Sequence, residues 1–130
     1  MVNFRKFVAS SGLEISGGRS AENNDELVFS ASPDDVLLHT SEPGSPFVNV
    51  GNSPTKKDIS EAVVFCAKYS QDWRNGKRDI IVNKFMRSDM SKSPKMKSGS
   101  WKVSKQEKVK VKKADILKFE SVLRFINETD

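Results

Sequence analysis

The chain has 130 residues, which is the size of one ordinary domain and enough to bury a hydrophobic core without disulfides. Hydrophobic residues make up 36% of it and charged residues 30%, so its composition differs from that of disordered proteins. The single cysteine, Cys66, and the single histidine, His39, exclude both an internal disulfide and a zinc site with four such ligands. We therefore expect one domain that uses no metal or other cofactor.

No apolar run approaches the ~20 residues that cross a bilayer. The first residues also lack the apolar stretch of a signal peptide. One unpaired cysteine is typical of a protein from a reducing compartment. These features predict a cytoplasmic protein that does not associate with membranes.

The net charge of +5 is distributed unevenly. Residues 1–66 carry five basic and nine acidic side chains, whereas residues 67–130 carry seventeen basic and eight acidic ones. A localised cationic surface on an acidic body is typical of a protein that binds a phosphate-rich partner. The alternative is a lysine face that serves solubility alone. An anionic membrane fits less well, because the basic run has the periodicity of a strand.

Alternating apolar residues and turn signals divide the first half of the chain. They first predict a hairpin with strands at residues 4–9 and 13–15, and then a helix at 21–29. Two further strands are expected at residues 36–40 and 47–50. Ser20 is a candidate N-cap for the helix. The Pro-Gly-Ser-Pro segment at 43–46 supplies the turn between the last two strands.

The second half begins with the clearest helix. Thr55 and Asp58 have the spacing of a capping box, and an apolar stripe continues from Ile59 to Trp73 before Gly76 ends the helix. After it we expect a strand at residues 78–85 and a basic loop at 87–100. Two short strands at 101–104 and 108–112 and a final helix at 114–127 follow. The final helix has an apolar stripe formed by Ile116, Phe119, Leu123 and Ile126.

This mixture of hairpins and helices predicts the α+β class. We expect a single domain with a mostly antiparallel, twisted sheet and two or three helices. We place the domain at residues 1–113 and a C-terminal amphipathic helix at 114–130. The apolar stripe of that helix could cover its own sheet or the groove of a protein partner.

The strongest physical signal is a set of lysines near the end of the chain. Val109 and Val111 are expected to face the core, which turns the alternating lysines of the same strand to solvent. Lysines at every second strand position lie about 6.8 Å apart, a spacing that can follow a phosphate backbone without reading bases. The lysines of this strand are Lys108, Lys110 and Lys112. The preceding strand adds Lys102, and the adjoining loop adds Lys92, Lys95 and Lys97.

Gly17 and Gly18, just before a helix, have two interpretations. Small residues there let a phosphate approach the backbone, and Arg19 would add a planar donor suited to phosphate. Alternatively the glycines form a tight turn that needs a positive φ, with Arg19 paired to Asp34 or Asp35. The segment lacks the Gly-Lys-Ser/Thr ending of a nucleotide-hydrolysing loop.

His39 and Cys66 are the residues that invite a catalytic interpretation. Cys66 lies on the apolar stripe of the predicted helix, which favours an inert thiol in the core. No recognisable motif places a nucleophile near His39. We therefore interpret His39, together with Asp35 on the same predicted strand, as a hydrogen-bonding or ligand-contacting residue.

Four segments together resemble the NFACT-R domain, the RNA-binding module of the ribosome quality-control proteins. They are GGRSAENN at 17–24, DVLLH with PGSP at 35–46, the helical EAVVFCAKYS with its tryptophan at 61–73, and MSKSPK leading to Gly-Ser at 90–100. These segments occur in the order found in the family, and the similarity covers residues 4–113. The chain is similar to the standalone form of this domain.

The resemblance implies a non-enzymatic module that binds tRNA or ribosomal RNA, with the large ribosomal subunit as a candidate partner, in translation-associated quality control. The alternative is a subunit of an RNA-modifying enzyme, or an adaptor that presents RNA to one. The resemblance and the charge pattern together give these candidate RNA-binding residues: Gly17, Gly18, Arg19, Asn24, Asp35, His39, Lys92, Lys95, Lys97, Lys102, Lys108, Lys110 and Lys112.

Overall fold

A computed structural model describes the backbone of residues 3–129 and the side chains of residues 3–123. Its eight strands are β1 (Arg5–Val8), β2 (Glu14–Gly17), β3 (Asp35–His39), β4 (Val48–Asn52), β5 (Ile80–Met86), β6 (Met90–Ser91), β7 (Lys102–Val103) and β8 (Glu107–Val111). Its four α-helices are α1 (Ala21–Ser30), α2 (Lys56–Lys68), α3 (Gln71–Asn75) and α4 (Lys113–Thr129).

Six strands form one sheet in the order β1-β2-β4-β3-β5-β8, and β6 pairs with β7 in a separate two-stranded sheet. All neighbouring strands are antiparallel. The α+β class and the mostly antiparallel sheet are therefore confirmed. Within the described residues, none of the helices combines the length and apolarity needed to span a bilayer.

Helices cover both faces of the large sheet. On one face, α2 and α4 enclose the main core, in which Ile15, Leu38 and Val82 are inaccessible to solvent or nearly so. On the other face, α1 packs Leu27 and Val28 against a smaller core around Leu37, Phe47 and Phe85. The second face is only partly covered, since within the described side chains α1 alone among the helices contributes to this smaller core, and it is ten residues long.

Local signals explain where the first two helices begin. The Ser20 side chain accepts a hydrogen bond from the backbone N–H of Asn23 at 3.1 Å, so Ser20 is the N-cap of α1 as expected. Thr55 and Asp58 form a reciprocal capping box at the start of α2.

The expectation of one continuous helix to Gly76 is wrong. Helix α2 ends at Lys68. Ser70 then caps the separate helix α3, because its hydroxyl accepts a hydrogen bond from the backbone N–H of Trp73 at 3.1 Å. The Ser70 hydroxyl also donates to the carbonyl of Ala67 at 2.7 Å. Tyr69 and Trp73 nevertheless stay near the phase of the apolar stripe, which is why periodicity alone did not show the break.

The segment from Arg87 to Ser100 was expected to be a loop, but it begins with a single 3₁₀ turn and then the short strand β6. Trp101 and Val103 were expected in the core; they are partly buried and pack against the smaller core beneath α1. Of the two strands expected after the loop, β7 therefore lies outside the large sheet and β8 joins it. In β8, Val111 is buried and Lys108 is exposed, as the alternation predicted.

The first part of α4 packs on its own domain. Ile116 is buried, and the Phe119 ring meets the edge of Phe7 at a centroid distance of 5.6 Å. The indole N–H of Trp73 donates to the Glu120 carboxylate at 3.0 Å, which fastens α4 to α3. The predicted stripe continues to Ile126, which lies outside the residues whose side chains the structure describes.

Candidate functional site

An open cleft of about 710 Å³ lies where β2 and β3 end and β4 begins. Its walls come from the start of α1, the turn between β3 and β4, and the segment before β7. Among the residues that the structure describes, four cationic side chains line the cleft and no aspartate or glutamate does. These cations are Arg5, Arg19, Arg74 and Lys97.

Asn24 joins the first wall to the second. Its buried amide donates to the carbonyl of Ser45 at 3.3 Å and accepts from the backbone N–H of Phe47 at 3.0 Å. A Cβ on Gly18 would lie 2.8 Å from Cγ of Asn24. Gly17 is closely packed as well, because a Cβ there would meet the Phe65 ring at 3.3 Å. Neither glycine has a positive φ, so the interpretation as a tight turn that needs a positive φ is wrong. Both positions favour glycine because neighbouring side chains pack closely against them.

Ser45 is the centre of the second wall. Its hydroxyl donates to Asp72 at 3.1 Å and accepts from the backbone N–H of Gln71 at 3.0 Å. The hydroxyl of Thr40 donates to the same Asp72 oxygen. Asp72 is buried and lies on α3, so the break between α2 and α3 is what brings this carboxylate to the turn.

Asp25 holds the third wall. Its carboxylate, on α1, accepts hydrogen bonds from the Ser98 hydroxyl at 3.1 Å, the Gly99 N–H at 3.0 Å and the Trp101 indole at 2.9 Å. Lys92 lies 3.5 Å away as an ion pair. Desolvation disfavours the charged carboxylate, but the donors and Lys92 outweigh it, so the pKa of Asp25 lies below its ordinary value.

His39, Asn83 and Phe85 form the floor. His39 and Asn83 are directly opposite each other on β3 and β5, so their side chains share a face. The His39 ring stacks on Phe47 at 4.2 Å, and its Nε2 is 3.2 Å from the carbonyl of Ser45. Burial lowers the pKa of His39, despite the opposing effect of the Ser45 carbonyl, so the ring is mainly neutral at pH 7.

Two of the four cations, Arg5 and Arg74, were missed by sequence reasoning. The Arg5 guanidinium lies 4.1 Å from the centre of the Tyr69 ring, a cation–π contact that directs it to the end of the sheet. Arg74 is on α3, whose position depends on the unexpected helix break. Neither residue belongs to a motif, so no signal in a single sequence could have found them.

The lysines of β8 continue the basic surface from the floor of the cleft. Lys108 is directly opposite Asn83, so the two side chains are neighbours on the same face of the sheet. Lys110 lies opposite Ile81 on the same face and forms an ion pair with Asp79 at 3.6 Å. Part of the charge of this lysine row is therefore balanced by Asp79.

The structure brings together only some of the predicted site residues. Gly18, Arg19, His39 and Lys97 line the cleft, and Lys108 borders it. Asn24 also lines the cleft, but its amide is occupied within the wall.

The other predicted site residues lie elsewhere or have internal partners. Asp35 does not meet His39, because it lies at the other end of β3 and accepts from Ser32 and Asn49. Lys92 is mostly buried and donates to two carbonyls of its own loop. Gly17 is buried behind the cleft. The remaining members of the set are exposed outside its lining: Lys95, Lys102, Lys110 and Lys112.

Cys66, one of the two residues considered for catalysis, is not in a reactive state. Cys66 is fully buried, and burial raises the pKa of its thiol, so no thiolate is available. The described residues contain no group of three or more His, Cys, Asp or Glu side chains placed to hold a metal ion.

Comparison with known proteins identifies the family. The family model described as the NFACT protein RNA binding domain matches residues 3–105. The solved structure of the C-terminal part of the fibronectin/fibrinogen-binding protein from Streptococcus suis is similar, with a TM-score of 0.75 at 20% identity. The match covers 85% of this chain and 45% of that one, and at this identity it concerns the fold alone. A search among curated proteins gave no match. Because the family model spans most of the sequence, the chain belongs to the NFACT RNA-binding domain family.

Proposed function

We propose that this protein is a non-enzymatic module that binds structured RNA, either tRNA or ribosomal RNA, in translation-associated quality control. The observation that carries the proposal is the cleft, whose lining has four cations and no carboxylate. A cationic cleft without acidic residues attracts phosphates. Membership of an RNA-binding family makes RNA the phosphate-bearing partner that we propose.

The lysines of β8 would extend the bound path beyond the cleft. Lys108 borders the floor, Lys110 follows it on the same face of β8 at about 6.8 Å, and Lys112 comes directly after the strand. Lysine interacts with phosphate as a point charge, so these contacts would position the RNA without reading its sequence.

The non-enzymatic part of the proposal is supported by the states of the two candidate catalytic residues. The Cys66 thiol is buried in the main core, away from the cleft lining. Nε2 of His39 is engaged by the Ser45 carbonyl, and one face of its ring is covered by Phe47. Such a histidine is suited to shaping a binding surface.

The test is a fluorescence-anisotropy titration with tRNA over a range of salt concentrations. Neutralising about five phosphates gives a slope of log affinity against log salt of about −3.5 to −4.5. The double variant Arg74→Glu/Lys97→Glu should weaken binding more than tenfold. The matched control is Lys56→Glu/Lys57→Glu, which makes the same charge change at the exposed start of α2, outside the cleft lining. A slope near zero, or equal losses in the two variants, would contradict the proposal.

Charge reversal of Lys108, Lys110 and Lys112 tests the extended path. All three side chains are exposed, so the fold should persist while the affinity for every RNA falls. Unchanged affinity with normal melting would limit the interface to the cleft.

The alternative role, as part of an RNA-modifying system, predicts a different product. Pure protein is incubated with tRNA, with and without large ribosomal subunits, and the nucleosides and nascent peptides are analysed by mass. We expect neither a mass-shifted nucleoside nor an extended peptide. Either product, absent from a denatured-protein control, would favour an enzyme.

A further inference from the structure

The floor of the cleft contains a polar group that the folded domain leaves unpaired. Oδ1 of Asn83 is buried and has no hydrogen-bond partner among the described residues. A buried acceptor without a partner costs about 1–3 kcal/mol, and most buried polar groups in native proteins are satisfied. Asn83 lines the cleft, so a molecule bound there could supply the missing donor.

The surroundings of Asn83 restrict what that molecule can be. On one side its cross-strand neighbour is His39, which is already fixed by Ser45 and Phe47. On the other side its neighbour is Lys108, a cation at the surface. A ligand that fits must therefore combine a hydrogen-bonding edge for the amide with negative charge for the cations around it.

We infer that the cleft receives one unpaired nucleotide of an RNA chain, with the edge of its base against the Asn83 amide. This inference rests on the proposed function and adds to it the form of RNA that is recognised. The terminal amide torsion of asparagine is broad and roughly two-fold, so the side chain can present either its oxygen or its NH₂ to the ligand. Every nucleobase has a donor beside an acceptor on its edge, and asparagine pairs with such an edge in two hydrogen bonds.

The dimensions of the site agree with a single nucleotide. A volume of about 710 Å³ lies within the ~300–1,000 Å³ range of sites that enclose small ligands. Bases in duplex RNA are stacked, and side chains cannot read its deep major groove, whereas an unpaired nucleotide can turn out of the stack. The phosphates on either side of that nucleotide would meet the cations that line the cleft, Arg19 and Lys97 among them.

The inference is tested with three RNAs of one sequence: a blunt duplex, the same duplex with a short unpaired 3′ tail, and the tailed duplex with abasic tail nucleotides. The last two carry the same phosphates, so their difference reports the base alone. We expect the protein to bind the tailed RNA five- to tenfold more tightly than the abasic one. Asn83→Leu should abolish this difference between the tailed and the abasic RNA.

The control variant is Asn52→Leu, because Asn52 is exposed at the far end of β4. It should keep the full preference for the base. Asn83→Leu should also melt no lower than the original protein, because it removes an acceptor that has no partner. Binding of all three RNAs with equal affinity would overturn the inference while leaving the proposed function intact. Salt-insensitive or absent binding of every RNA would instead overturn the proposed function.

A free nucleotide is the other source of the same chemistry. A nucleoside monophosphate lacks the neighbouring phosphates that would reach the lysines of β8. At a concentration equal to that of the tailed RNA it should not displace the RNA. Displacement under these conditions would overturn the assignment to an RNA chain.

Discussion

Gly18→Ala should destabilise the protein by displacing the side chain that joins two walls of the cleft. The added Cβ would lie 2.8 Å from Cγ of Asn24 and 3.1 Å from its Cα, so the Asn24 amide must leave its position. Two hydrogen bonds to Ser45 and Phe47 are lost at about 0.5–1.5 kcal/mol each, and the buried N–H of Phe47 is left unpaired. We expect the free energy of unfolding to fall by about 2–4 kcal/mol, which lowers Tm by about 8–15 °C.

The assay is urea unfolding of the single variants Gly18→Ala and Asn24→Ala and of the double variant. Asn24→Ala loses the same two hydrogen bonds and also removes Oδ1 and Cγ, the two atoms nearest to the new Cβ. The double variant should therefore be about as stable as Asn24→Ala alone, so the magnitude of the coupling energy should equal the loss in Gly18→Ala, about 2–4 kcal/mol. Gly17→Ala is the control, because the three atoms nearest to its Cβ are apolar atoms of Phe65 and Val48, none of which belongs to Asn24. Additivity within about 0.5 kcal/mol would refute the reasoning.

Three further outcomes are expected. The Cys66 thiol should react with a thiol reagent only after unfolding, because burial raises its pKa and denies access; modification of the native protein would disprove this. Asp25→Asn should cost about 2 kcal/mol at pH 7, from weaker hydrogen bonds to Trp101 and its loop. Because the pKa of Asp25 is lowered by folding, this contribution is present above the ordinary aspartate range and is lost as the pH falls through the folded-state pKa, so the two proteins should become equally stable in acid. Asp79→Asn should tighten RNA binding about twofold by releasing Lys110, and weaker binding would contradict that role.

The elements that were predicted correctly have signals within a few residues of each other. Ser20 and Thr55 are N-cap residues that indicate where α1 and α2 begin, and the alternation around Val111 shows which side of β8 faces the core. The separation of α3 was missed because Tyr69 and Trp73 remain close to helical phase across the break. Strands of two residues, such as β6 and β7, are too short to show any period.

The site was less predictable because long-range contacts define it. The floor depends on the register that sets His39 opposite Asn83, and the third wall depends on Asp25 meeting Trp101. These partners are more than forty residues apart in sequence, so composition and spacing cannot show them. The sequence did indicate the lysines of β8, since alternation along one strand is a local property.

The three walls of the cleft have a consequence for when the site can exist. They come from residues 18–24, 43–47 and 97–101, and the third is fastened to α1 by hydrogen bonds to Asp25. A chain emerging from the ribosome therefore cannot complete the cleft until the segment at 97–101 has left the exit tunnel. The first two walls of the cleft stay open while roughly fifty further residues are synthesised, about 3–10 s at elongation rates of ~5–20 residues per second. The basic cleft and the lysines of β8 thus become available at nearly the same stage of synthesis, and a chain that ends before residue 97 cannot present this surface to RNA.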